Sequence, residues 1–205
     1  FRIPAIVRTA KGSLIAFAEG RKAFSNRVLE LSCGDGQVHG IAVSRSTDSG
    51  KTWSEVSFAA GDANTPVGNP YPIALSDGRV ALVFVNHTKG SAGVGPDNGV
   101  VFSHDDGITW GFSQSVGSGF GKAKGAMPGP GAGVELRDSK RLLVVSHYGA
   151  YVRDYITYSD DGGKSWATVN ASFPGMDEAT LADLGGGEVL LNMRHQKEQT
   201  KGRGV

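Results

Sequence analysis

The amino-acid sequence predicts an all-β fold built from repeated four-stranded sheets, and three observations support this class. A short turn motif occurs three times at nearly constant spacing, strand-like runs flank each copy, and glycine makes up 31 of the 205 residues. That glycine content, about twice the usual share, together with 39% hydrophobic residues is typical of a β protein rich in turns. No segment shows a sustained helical period, so we expect little helix.

The repeated motif reads Ser-x-Asp-x-Gly-x-Thr/Ser-Trp and occupies residues 46–53, 103–110 and 159–166. Its copies contain all three tryptophans of the chain, and these follow one another at a nearly constant interval. An Asp side chain accepts hydrogen bonds from nearby backbone N–H groups, and Gly supplies the positive φ of a tight turn. We therefore interpret each copy as a β-hairpin turn whose Trp begins the next strand and packs under the turn.

A second predicted hairpin follows each copy of the motif, over residues 72–85, 133–145 and 179–191. Two hairpins per period make a four-stranded sheet, and such sheets repeated along a chain are the blades of a β-propeller. An all-β sandwich is the alternative, but it gives no reason for a motif that recurs at a constant interval. Because the chain covers fewer than four full periods, we expect an incomplete set of three to four blades, with the domain continuing beyond residue 205.

Composition excludes several classes of function. Lys and Arg number 21 against 20 Asp and Glu, and this balance argues against a nucleic-acid partner. No apolar run is long enough to cross a bilayer, so no membrane span is predicted. The single cysteine, Cys33, excludes an internal disulfide and a multi-cysteine metal site. The five histidines show no ligand spacing, and the sequence therefore predicts neither a metal nor a cofactor.

Three further segments are more specific than the repeated motif. The chain opens with Phe1-Arg2-Ile3-Pro4, residues 14–21 read Leu-Ile-Ala-Phe-Ala-Glu-Gly-Arg, and Glu178 is followed further on by Asn192-Met193-Arg194. These segments resemble, in order, the Phe/Tyr-Arg-Ile-Pro signature, an Ala-Phe-Ala-Glu-x-Arg stretch and the Glu…Asn-x-Arg segment of the sialidase (neuraminidase) family. The repeated motif is similar to the Asp box of the same family. The resemblance implies a six-bladed propeller, of which residues 1–205 form the N-terminal part of the catalytic domain.

The resemblance also implies an activity and its substrates. It points to an exo-α-sialidase, a retaining hydrolase that removes terminal sialic acid from glycoproteins, glycolipids or oligosaccharides. Arg2 and Arg194 match two of the three family arginines that bind the substrate carboxylate, a planar anion that suits the guanidinium fork. Glu178 matches the base that takes the proton of a Tyr nucleophile. The third arginine and that Tyr are expected beyond residue 205.

The remaining site residues are assigned through the same resemblance. Asp35 lies on the loop that precedes the strand into the first Asp box, at the family's spacing, and matches the acid/base Asp, with Glu30 as the fallback. Arg21 and Asn69 match positions that face the 4-hydroxyl of the sugar. Tyr148 matches a position that contacts the glycerol tail, with the nearby Tyr151 as a rival for that role.

Two other interpretations stay open at this level. A trans-sialidase shares every residue assigned above, and a non-catalytic Asp-box propeller would bind glycans without turnover. The aspartates of the boxes, Asp48, Asp105 and Asp161, are interpreted as structural, because one active site could not use all three. The resemblance favours a secreted, extracellular or lysosomal location over a cytosolic one.

Overall fold

The computed structural model describes residues 1–21, 38–61, 66–87, 94–117, 126–148, 152–195 and 203–204. These residues form antiparallel strands arranged in four sheets, which we call blades 1 to 4. Blade 1 contains β1 (Arg2–Arg8), β2 (Leu14–Arg21), β3 (Val38–Ser46) and β4 (Ser57–Ala60). Blade 2 contains β5 (Val67–Ala74), β6 (Val80–His87), β7 (Val94–Ser103) and β8 (Gln114–Ser115).

The other two blades follow in chain order. Blade 3 contains β9 (Met127–Pro128), β10 (Val134–Glu135), β11 (Leu142–Tyr148), β12 (Arg153–Ser159) and β13 (Ala167–Pro174). Blade 4 contains β14 (Met176–Gly185), β15 (Glu188–His195) and β16 (Arg203–Gly204). No helix that could cross a membrane occurs in the described part of the chain.

Consecutive strands are neighbours in blades 1, 2 and 4, so each of these sheets is a simple antiparallel meander. In blade 3, β9 and β10 both pair with β11, at opposite ends of that strand, and together they act as one interrupted edge strand. The interruption contains Gly129, whose φ is positive and where a side chain would collide with the ring of Tyr71. The predicted fold class, an all-β protein of four-stranded blades, is confirmed.

Each repeated motif closes the hairpin between the third and fourth strands of its blade. In the first copy, the Ser46 hydroxyl donates to Asp48 Oδ1 at 2.8 Å and accepts from the Gly50 N–H at 2.9 Å. Asp48 also accepts from the backbone N–H and the hydroxyl of Thr52, at 2.9 and 2.6 Å. The Trp53 indole N–H donates to the Gly50 carbonyl at 3.1 Å. The motif is thus a self-contained turn that satisfies its own polar groups.

The prediction that the motif Trp begins the next strand holds for only one copy. Trp166 directly precedes β13, whereas β4 and β8 begin further along the chain than Trp53 and Trp110. After the first copy, the Arg45 N–H donates to the Ser54 hydroxyl instead of a backbone carbonyl, which interrupts the ladder before β4. For the first two boxes the prediction was wrong because a side chain or loop intervenes between turn and strand.

The apolar core lies between the blades, and β6 shows how it is divided. Val80, Leu82 and Phe84 pack into a cluster with β2 and β3 of blade 1. Ala81 and Val83, which alternate with them, pack into a second cluster with β11, β14 and β15 of blades 3 and 4. Successive residues of a strand point to opposite faces, so this strand is apolar at every position from Val80 to Val85 because both its faces are covered there.

A polar contact reinforces the packing of blade 2 on blade 1. Asp106, next to the second motif's Asp, is buried and accepts hydrogen bonds from the hydroxyls of Thr9 at 2.5 Å and Ser13 at 2.6 Å. Arg45 forms an ion pair with the same carboxylate and donates from Nε to the Asp106 carbonyl at 2.7 Å. A buried carboxylate requires such partners, and these come from the neighbouring blade.

The Asp boxes generate a prediction about stability. Burial raises the pKa of Asp105, but the hydrogen bonds from Thr109 and Ser103 outweigh it and hold the pKa at about 2. Asp105→Ala is expected to lower the free energy of unfolding by about 1 kcal/mol at neutral pH, through lost turn hydrogen bonds. The folded-state pKa is depressed, so this difference should fade as the pH falls from about 4 to 2.

Denaturant unfolding of both proteins at neutral and acidic pH measures the difference, with Asp138→Ala as the matched control at an exposed turn. A variant with unchanged stability and lost activity would show that Asp105 serves the chemistry instead of the turn.

Candidate active site

The predicted site residues and the Asp boxes lie at opposite ends of the strands. In blade 1, the register pairs Arg2 with Glu19 at one end. At the other end it pairs Leu14 with Ser46, the first residue of the first Asp box. Blade 3 has the same arrangement, with Tyr148 at the end away from its box. The site candidates therefore collect at one rim of the sheets, away from the repeated turns.

A buried carboxylate holds two of the predicted residues. Arg21 donates from Nε and from a terminal nitrogen to Glu19 Oε2, at 2.7 and 2.5 Å, and the side chains are only 3% and 2% exposed. The other oxygen of Glu19 accepts from the backbone N–H of Asn69 at 2.8 Å. Glu19 lies on β2 and Asn69 on β5, so this carboxylate also links blade 1 to blade 2.

The sequence analysis gave Glu19 no role, although a signal for it exists. Residues two apart on a strand share a face, so a Glu-x-Arg pair on β2 can form an ion pair. Asn69 adopts a φ of 50°, a left-handed conformation that Asn tolerates better than most residues. The bond to Glu19 fixes this backbone position.

The second group of predicted residues meets at a β-bulge. The pairing of β14 with β15 shifts register between Met176 and Ala179, so that Asp177 and Glu178 both stand opposite Arg194. Arg194 donates to Glu178 Oε2 at 2.8 Å and lies 3.5 Å from Asp177 Oδ2. The side chains of Arg194 and Glu178 are 40% and 32% exposed, so both can reach a ligand. Bulges commonly re-aim side chains in this way beside active sites.

Two further ionisable side chains lie beneath this pair, and the sequence analysis missed them. His147 and Asp154 face each other across β11 and β12, and both are buried. His147 Nε2 lies 3.8 Å from Asp177 Oδ1. Within the described part of the chain, both carboxylate oxygens of Asp154 lack a hydrogen-bond partner, and so does the Nδ1 atom of His147. We call His147, Asp154 and Asp177 the buried acid cluster.

Burial controls the charges of this cluster. It raises the pKa of Asp154 to about 8, with a contribution from the nearby charge of Asp177. It also raises the pKa of Asp177 to about 6, helped by Glu178 and opposed by Arg194. Burial lowers the pKa of His147. At neutral pH the cluster therefore consists of a protonated Asp154, a neutral His147 and a largely ionised Asp177.

A tyrosine of blade 2 connects the two groups of site residues. Tyr71 follows Asn69 closely on β5 and is completely buried. Its hydroxyl donates to the carbonyl of Ala179, the residue after Glu178, at 3.3 Å. Burial raises the pKa of Tyr71, and its phenol therefore stays protonated. This bond sets the distance between the Asn69 region and the bulge.

The other sequence predictions divide between described and undescribed positions. Arg2 is exposed at the start of β1, and Tyr148 is half-buried at the end of β11. Asp35, Glu30 and Tyr151 lie outside the described residues. Among the residues that the structure describes, no group of three or more His, Cys, Asp or Glu side chains is arranged to hold a metal ion.

Comparison with known proteins assigns this combination of blades and turns to a class, the Asp-box β-propellers. Residues 34–203 match the family described as the BNR repeat-like domain. A sialidase of Micromonospora viridifaciens is 30% identical over 95% of this chain and 32% of its own length. An exo-alpha-sialidase of Aspergillus fumigatus is 26% identical over 95% of this chain and 51% of its own. The chain belongs to the BNR repeat-like domain family, and the relatives that it matches are named sialidases.

Solved structures agree on the fold. A Hadza microbial sialidase superposes with a TM-score of 0.78 at 23% identity, covering 98% of this chain and 43% of that one. A Trypanosoma rangeli sialidase, in complex with 2,3-difluorosialic acid as a covalent intermediate, superposes with a TM-score of 0.74 at 22% identity. That alignment covers 95% of this chain and 34% of the trypanosomal one. The chain thus spans about a third to a half of the length of these relatives.

The buried acid cluster generates a second prediction. Because the folded-state pKa of Asp154 is raised to about 8, the folded state loses stability relative to the unfolded state as the pH rises from about 4 to 8. Asp154→Asn cannot ionise, so its stability relative to the unaltered protein should increase by roughly 2–4 kcal/mol over that range. Unfolding measured across this pH range, with the exposed Asp138→Asn as control, tests it.

The pH dependence is diagnostic because any packing defect of the new amide would shift stability equally at each pH. A constant difference between Asp154→Asn and the unaltered protein would mean that Asp154 is ionised in the folded state.

Proposed function

We propose that the intact protein containing this chain is an exo-α-sialidase that releases terminal sialic acid from glycoproteins, glycolipids or oligosaccharides with retention of configuration. The observation that carries the proposal is the contact of Arg194 with Glu178 at the bulge, since both side chains are partly exposed. The names of the relatives, sialidase and exo-alpha-sialidase, support it.

Recognition of the substrate begins with its carboxylate. Sialic acid carries a carboxylate on its anomeric carbon, and an arginine binds both oxygens of such a planar anion while staying charged at any working pH. In this proposal Arg2 and Arg194 supply two guanidinium groups, and a third arginine comes from outside this chain. The bond of Arg194 to Glu178 orients one guanidinium before the substrate arrives.

The carboxylate of the substrate also determines which nucleophile can attack it. A carboxylate nucleophile would be repelled by the substrate carboxylate, whereas a neutral Tyr avoids that repulsion. We assign Glu178 as the base that takes the proton of a Tyr supplied from outside this chain. We assign Asp35 as the acid that protonates the leaving oxygen and then activates water. The structure of a trypanosomal sialidase as a covalent intermediate with 2,3-difluorosialic acid supports this type of reaction.

The remaining contacts would position the sugar ring. Arg21 and Asn69 are proposed to face the 4-hydroxyl, and Glu19 then acts as the residue that holds both of them. Tyr148 is proposed to contact the glycerol tail. An assay of the intact protein with a natural sialoside decides the class of activity. Free sialic acid supports the proposal, transfer to an added glycan indicates a trans-sialidase, and binding without turnover indicates a non-catalytic module.

Arg2 is the first residue to test. Arg2→Lys retains the charge but loses the fork that binds two oxygens. We therefore expect kcat/KM on sialosides to fall roughly 10²-fold, which corresponds to a loss of a few kcal/mol of transition-state stabilisation. The control is Arg8→Lys, an exposed arginine at the other end of β1, which should leave kcat/KM unchanged. Near-normal kcat/KM for Arg2→Lys would remove Arg2 from the carboxylate site.

Asp35 and Glu178 are separated by their dependence on the leaving group. A natural sialoside leaves as a sugar alkoxide that needs a proton, whereas an aryl sialoside leaves as a stable phenolate. Asp35→Ala should therefore lower kcat/KM by roughly 10²–10⁴-fold on natural substrates and much less on aryl ones. Glu178→Ala should slow both substrate types alike, because the Tyr attacks whatever the leaving group.

Both variants are measured in the intact protein on both substrates. Equal losses for Asp35→Ala across the two substrates would refute its acid role and move the assignment to Glu30. A loss for Glu178→Ala confined to natural substrates would exclude Glu178 as the base for the nucleophile.

A further inference from the structure

The bulge in blade 4 gives one arginine two acidic neighbours with different surroundings. In a regular strand, Asp177 and Glu178 would point to opposite faces, but the extra residue on β14 brings both toward Arg194. A single terminal nitrogen of Arg194 lies 2.8 Å from Glu178 and 3.5 Å from Asp177. The side chain of Glu178 is 32% exposed, whereas that of Asp177 is 3% exposed.

These two carboxylates would not keep the same charge through a reaction cycle. In the proposed function, Glu178 receives the proton of the nucleophile and becomes neutral while the new bond forms. A neutral carboxyl group attracts a guanidinium far less than a carboxylate does. The contact of Arg194 with Glu178 would then weaken at the step in which Arg194 must still hold the substrate carboxylate.

We propose that Asp177 is a positioning residue that keeps Arg194 in place while Glu178 is protonated. Within the buried acid cluster, Asp177 is then the single anion. The inference rests on the proposed function of Glu178. Asp177 can take this part because its side chain is almost completely buried, whereas that of Glu178 is partly exposed.

The cluster supports this division of charge. Among the described residues, four ionisable groups lie near Asp177 and Asp154 on the neighbouring strands. They are Arg194 of β15, His147 of β11, Glu178 of β14 and Tyr71 of β5. At the end of β15, His195 lies near Gly175, and β13 contributes no ionisable side chain. Burial raises the pKa of Asp154 to about 8 and lowers that of His147, so both are neutral at pH 7. The negative charge therefore resides on Asp177, the member nearest Arg194.

The test separates kcat from KM in the intact protein. Asp177→Asn preserves size and removes the charge, so kcat on an aryl sialoside should fall roughly tenfold, while KM, which reflects the state with Glu178 ionised, should change less than about threefold. The control is Asp138→Asn at an exposed turn, which should leave both constants unchanged at pH 7. Asp177→Ala, which leaves no buried amide to satisfy, should show the same split as Asp177→Asn.

The pH dependence of kcat in the unaltered protein supplies a second test. Acidification through about pH 6 protonates Asp177, so part of the acid-side loss of kcat should be absent from the pH profile of Asp177→Asn. A raised KM at constant kcat, unchanged constants, or failure of both Asp177 variants to fold would each overturn the positioning role. Absence of turnover in the unaltered protein would instead contradict the proposed function.

Discussion

The packing of one blade against the next is the constraint on which the rest of this structure depends. A sheet that packs between two others needs two apolar faces, and here β6 covers blade 1 with Leu82 and Phe84 and faces blades 3 and 4 with Ala81 and Val83. Each fully buried aliphatic or aromatic side chain contributes on the order of 1.5–3 kcal/mol. Face-to-face packing leaves the strand ends uncovered, with the Asp boxes at one end and the proposed site residues at the other. A rigid stack of sheets thus presents residues from distant parts of the chain at one rim.

The candidate site relies on one device used twice, a carboxylate that orients an arginine. Glu19 holds Arg21 in a nearly solvent-free position, where an unpaired guanidinium would be costly. Glu178 holds Arg194 in a more open position, where the guanidinium stays accessible to a ligand. The two pairs differ in exposure: the first also links blades 1 and 2, and the second is the more accessible to a ligand.

Much of this architecture could be predicted because its signals are local. The Asp box is a turn whose hydrogen bonds join residues close together in the chain, so three copies in the sequence predict three equivalent hairpins. The buried acid cluster could not be found in this way. His147 and Asp154 become neighbours only through the register of β11 with β12. The local sequence does not predict the bulge that turns Asp177 and Glu178 toward the same guanidinium, because the bulge depends on how β15 pairs with β14.

The claim that this rim of the blades is a sialic acid site is tested most directly by a crystal structure of the intact protein bound to 2,3-difluorosialic acid, a ligand seen in a trypanosomal relative. The account predicts that the ligand carboxylate lies within hydrogen-bond distance of the guanidinium groups of both Arg2 and Arg194, with Glu178 still bonded to Arg194. A ligand carboxylate bound away from these two arginines, or a ligand at the Asp-box rim, would contradict it.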